Sequence, residues 1–80
     1  MQIIVYSTVP VPPPINHIAT GANVRALRLK KGVCLREVAR RLGWSAAYVS
    51  DLELGRRGWT VQRVDKVVGA IEVAQSNARL

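Results

Sequence analysis

The sequence predicts an all-α fold: four short helices behind an extended N-terminal arm. Three observations lead there. Leu35, Val38, Ala39 and Leu42 fall at i, i+3, i+4 and i+7, the apolar stripe of an amphipathic helix. Gly32, Gly43 and Gly55 each follow a helix-like segment, where a left-handed residue stops a helix. Ser45 and Thr60 stand where the next helices need an N-cap.

Taken in order, residues 1–20 form the arm. Gln2–Val9 is rich in β-branched residues and reads as a short strand, after which Pro10, Pro12, Pro13 and Pro14 force an extended chain. A lone strand is not stable in water. It either pairs with a second subunit or another partner, or it is a tail or a strand laid on its own helices. Helix 1 follows, capped by Thr20 or Asn23, with Val24 and Leu27 inward and a basic last turn at Lys30-Lys31 before Gly32. Helix 2 spans Leu35–Leu42, with Glu37 and Arg41 as a favourable i,i+4 pair. Helix 3 spans Ser45–Leu54, and Val49 and Leu52 repeat the apolar spacing. Arg56-Arg57-Gly58-Trp59 makes a basic loop. Helix 4 opens at Thr60 and turns Val61, Val64, Val68 and Ile71 to one side. Residues 21–72 thus form the domain, and 73–80 either extend helix 4 or fray.

Eighty residues bury one modest core, so dimerisation would help the fold. Twelve Lys/Arg against five Asp/Glu give a net charge of +7, which suits a polyanion. The charge is uneven. Residues 1–20 carry none, while residues 21–44 hold Arg25, Arg28, Lys30, Lys31, Arg36, Arg40 and Arg41 against Glu37 alone. One cysteine, Cys34, excludes an internal disulfide, and Cys34 with the single His17 cannot make a zinc site. No metal or other cofactor is expected. No apolar run approaches a membrane span, and the start lacks the features of a signal peptide, so a cytosolic protein is expected. Neither a nucleophile–base pair nor a phosphate-cradling glycine loop is visible, which argues against an enzyme.

Helix, glycine turn, helix is the outline of a DNA-reading helix-turn-helix. Beyond that outline, residues 21–72 resemble the phage-repressor and Cro type, the xenobiotic-response-element family. The resemblance is carried by Val24-Arg25-x-Leu27-Arg28, Lys31-Gly32-Val33 and Glu37-Val38-Ala39-x-x-Leu42-Gly43-x-Ser45. It continues through Tyr48-Val49-Ser50-x-Leu52-Glu53-x-Gly55-Arg56-Arg57. It implies a compact lambda-repressor-like domain of four or five helices that binds duplex DNA, usually as a twofold dimer on a palindrome. It also implies a buried ion pair between Arg28 and Glu53. It places the start of helix 2, at Cys34 and Leu35, against a phosphate, which free N–H groups and the helix dipole attract. The sequence departs from the family there. Cys34 is a poor cap, and Leu35 stands where the family has Gln.

Base reading falls to Ala46, Ala47, Tyr48, Ser50 and Asp51. Alanine can touch a thymine methyl, and Asp can accept from a cytosine amino group or pair with a nearby Arg. Arg25, Arg36, Arg56 and Arg57 are phosphate candidates, as are Arg40 and Arg41, although helix 2 cannot turn all of its arginines to DNA. Trp44 and Trp59 flank helix 3 and suit the core better than base stacking. Helix 3 carries Asp51 and Glu53 but no Lys or Arg, so the electrostatic grip belongs to helices 1 and 2 and to Arg56-Arg57. The expected function is a sequence-specific transcriptional regulator, a repressor acting as a homodimer. The alternatives are an antitoxin that also binds a partner protein, which the apolar arm invites, and a controller of a restriction–modification or anti-defence cassette.

Overall fold

The computed structural model describes residues 14–78, with side chains through Gln75. The strand expected over residues 2–9 lies outside the described residues. Four helices follow in order: α1 (His17–Lys30), α2 (Leu35–Leu42), α3 (Ala46–Glu53) and α4 (Val61–Ala78). The helix α3 packs against α1 and α2, and α4 packs across α2 and α1.

Helix α1 starts earlier than the Thr20 or Asn23 caps would place it. Its cap is Asn16, whose side chain accepts a hydrogen bond from the Ala19 amide at 3.0 Å. Asparagine relieves an orphan first-turn donor as well as threonine does, so three candidate caps competed. The helix buries Gly21, Val24 and Arg28, spaced i, i+3 and i+7. Leu27 is half-buried against the core.

The turn between α2 and α3 is set locally. Gly43 has φ 71°, a left-handed geometry that costs a side-chain-bearing residue roughly 1–2 kcal/mol. The amide of Trp44 returns to the Ala39 carbonyl at 3.0 Å, closing the end of α2. Ser45 then caps α3 by accepting from the Tyr48 amide at 3.1 Å. Two short helices are thereby joined through one left-handed residue and one capping hydroxyl.

The core gathers Val38 from α2, Val49 and Leu52 from α3, and Val67 and Ile71 from α4, all fully buried. Thr60 caps α4, accepting from the Arg63 amide at 3.1 Å. The inward face of α4 differs from the one read in the sequence. Val61 is 65% exposed and Val68 half-buried, whereas Val67 is sealed. Valines at 61, 64, 67 and 68 allow two helical frames, and packing against α2 selects the one through Val64, Val67, Ile71 and Ala74. The helix continues through residues 73–78.

Trp59 locks the loop between α3 and α4. It is 3% exposed, and its indole N–H donates to the Leu52 carbonyl at 2.8 Å. Its amide donates to Nδ1 of His17 at 2.8 Å, so that nitrogen is the unprotonated one. One residue thus ties the loop both to the end of α3 and to the start of α1.

Candidate nucleic-acid interface

The outward face of α3 is small and uncrowded. Ala47 is exposed, and Ala46, Tyr48, Ser50 and Asp51 are half-buried. Ala47, Asp51 and Leu54 follow at i, i+4 and i+7, one stripe on the helix. Leu54, 46% exposed, continues that stripe and was not among the expected site residues.

The helix is held from behind by Arg28 and Glu53. Arg28 Nε donates to Glu53 Oε2 at 2.7 Å, and Nη2 donates to Oε1 at 2.9 Å. Its third donor, Nη1, reaches the Val33 carbonyl at 3.0 Å. The side chains are only 8% and 3% exposed. The Glu53 hydrogen bonds raise the Arg28 pKa above its already high value, against burial that would lower it. One guanidinium therefore fastens α1 to the end of α3 and to the loop before α2. Gly21 adds a second fastening. A Cβ there would collide with the Leu52 carbonyl oxygen and lie 2.5 Å from that of Glu53, so only glycine lets α1 approach α3 this closely.

Beside that strut, Arg25, Leu35 and Ser50 line one depression where α1, α2 and α3 meet, with Arg28, Glu53 and Leu54. Arg25 is exposed, and Leu35 packs half-buried at the core edge. The Cys34 thiol is exposed and makes no capping hydrogen bond, so no side chain there satisfies the first-turn amides of α2.

The arginines of α2 divide. Arg40 Nη2 lies 2.6 Å and Arg41 Nε 2.7 Å from the same oxygen of Glu37. The Arg40 hydrogen bond is the main reason that the Glu37 carboxyl titrates below its ordinary range, with both positive charges adding to it. Arg36 is exposed and has no ion-pair partner among the described residues. It is the arginine of this helix left to meet an external anion. Past α3, Arg56 and Arg57 each approach Asp51 at 3.8 Å. Both arginines remain largely exposed, at 72% and 62%.

Some contacts that position this face had no local signature. His17 and Trp59 are 42 residues apart, and Lys31 Nζ reaches Gln75 Oε1 at 3.2 Å across 44. Arg63 Nη1 donates to the Gly58 carbonyl at 3.1 Å, stiffening the loop that follows α3. Among the described residues, no helix is long and apolar enough to cross a membrane.

Comparison with known proteins identifies the family of the fold. An uncharacterized HTH-type transcriptional regulator, y4dJ, of Sinorhizobium fredii is 41% identical over 54 residues, which cover 68% of this chain and 70% of that protein. No solved structure matches significantly. The family described as "Helix-turn-helix domain" matches residues 19–77, all four helices nearly end to end. The chain belongs to that helix-turn-helix family.

Proposed function

We propose that this chain is a sequence-specific, double-stranded DNA-binding transcriptional regulator, a repressor that occupies a palindromic operator as a homodimer. The observation that carries the reading is the outward face of α3. Ala46, Ala47 and Ser50 lie on it, Arg28–Glu53 ties it to α1, exposed Arg25, Arg56 and Arg57 lie beside it, and Arg36 is exposed on α2. In the major groove, Ala46 and Ala47 would meet thymine methyls, while Tyr48, Ser50 and Asp51 supply polar contacts. The arginines, with the amides at the start of α2 near Cys34 and Leu35, would hold phosphates and set register. The family membership and the relative's description as a transcriptional regulator support the same reading.

In vitro selection from a random duplex pool tests it. The expected product is a palindrome whose half-sites lie about one helical turn, roughly 34 Å, apart. Affinity for that site should fall steeply between roughly 50 and 200 mM salt as counterions are released. Binding that is flat across that range, or a pool that enriches nothing, would refute the proposal.

A second reading, a regulator that also holds a partner protein, draws on one observation. Ile18 and Leu29 on α1 are 70% and 57% exposed, and they flank Ala22 and Ala26 in a groove closed by Leu54. Co-purification of the untagged chain from its native operon tests it. A stoichiometric non-self protein supports the antitoxin form, and the chain alone counts against it.

A further inference from the structure

The recognition helix lacks a cation of its own, yet the structure supplies one. We infer that Arg57 reads a guanine edge as part of the α3 face, with Tyr48 and Asp51 as its positioning residues. The inference rests on the DNA-binding reading and gives Arg57 a base-reading role in place of phosphate contact alone.

Tyr48 and Asp51 are three residues apart and so share one side of α3. Arg57 lies across both. Its guanidinium carbon is 5.8 Å from the Tyr48 ring centroid, within cation–π range, and its Nε is 3.8 Å from Asp51 Oδ2. The Tyr48 ring is itself braced, edge-on to Trp44 at 5.2 Å and 85°. The placement of the guanidinium over the Tyr48 ring is the deciding detail. It leaves the two terminal nitrogens as a free fork, the geometry that takes guanine O6 and N7 together.

Arg56 is placed differently. It approaches Asp51 at 3.8 Å through Nη1, too far for a hydrogen bond, and so is held only by that loose ion contact. No aromatic contact to it appears among the described residues. Of the two neighbouring arginines, Arg57 is therefore the one prepared for bidentate recognition.

A 3.8 Å ion contact is weak in water, because solvent screens it. A groove that excludes water strengthens it. The Tyr48 and Asp51 contacts also restrict the arginine before binding, which lowers the ordering cost of the complex. Two arginines offset the Asp51 charge, so that carboxylate can enter a groove walled by phosphates.

The test is selection from a random duplex pool with the full chain and its Arg57→Lys, Asp51→Asn and Arg56→Lys variants. Affinities for the selected site and for a guanine-substituted site are then compared at one salt concentration. The wild-type chain should select a guanine in each half-site. Arg57→Lys keeps the charge but loses the fork. It should keep the salt slope while its guanine preference falls on the order of ten- to hundred-fold. Arg56→Lys should keep the preference. Asp51→Asn should also lower the guanine preference, because the guanidinium then loses one of its two anchors. An unchanged preference in Arg57→Lys, or an equal loss in Arg56→Lys, would overturn the inference. Failure of the wild-type chain to enrich any sequence would overturn the DNA-binding reading itself, and this inference with it.

Discussion

Arg28→Ala tests the strut behind α3. The change removes two charge-assisted hydrogen bonds to Glu53, at 2.7 and 2.9 Å, and a third to the Val33 carbonyl at 3.0 Å. Glu53, 3% exposed, is then enclosed without its cation. Breaking one side of a buried pair costs about 3–5 kcal/mol. The orphaned Val33 carbonyl adds roughly 1 kcal/mol. Water entering beside the shortened side chain relieves part of this, so the lower end, about 3 kcal/mol, is the expected loss. For a domain of this size that corresponds to a melting temperature lower by about 12–24 °C. Urea titration followed by far-UV circular dichroism measures it, with an unchanged slope as the check on two-state behaviour. The apolar pair Arg28→Met with Glu53→Leu should recover most of the loss, because no charge is then stranded. A loss for Arg28→Ala below about 0.5 kcal/mol would refute the reasoning, since that is the worth of a solvated pair.

Two further perturbations separate local from tertiary effects. Gly21→Ala should destabilise by about 1–3 kcal/mol despite the better helix propensity of alanine, because the Cβ meets the Leu52 and Glu53 carbonyls. Gly69→Ala, with no neighbour within 4 Å, should stabilise by up to about 1 kcal/mol. Thermal melts of both decide the matter, and shifts of the same sign would contradict it. Glu37 has a lowered pKa in the folded state, chiefly from Arg40, so its stabilisation is present above its ordinary value and lost as pH falls through the depressed one. The melting difference between wild type and Glu37→Gln should therefore hold at neutral pH and shrink as pH falls below the ordinary glutamate range. A constant difference would mean that Arg40 and Arg41 do not hold that carboxylate.

The helices and the turns between them were legible in the chain because their causes are local. The Leu35–Leu42 stripe, the stop at Gly43 and the Ser45 cap each act within about four residues, the reach of a helical hydrogen bond. Helix α1 was harder to bound, because Asn16, Thr20 and Asn23 can all cap and only one does. The frame of α4 was ambiguous for a similar reason, a run of valines that suits two faces. The pairing of Arg28 with Glu53 entered only through family resemblance. Nothing local encodes a 2.7 Å contact between side chains 25 positions apart.

By itself, then, the sequence determined a basic helical domain behind an uncharged arm, a glycine-turned helix pair, and no cation on the second helix of that pair. Only the tertiary structure decided what that helix face consists of. The angle at which α1 and the following loop cross α3 brings Gly21 onto its last carbonyls, seats Arg28 on Glu53, and lays Arg57 over Tyr48 and Asp51. Such contacts depend on how whole helices pack, and packing responds to the summed shape of every core residue rather than to any short run of sequence.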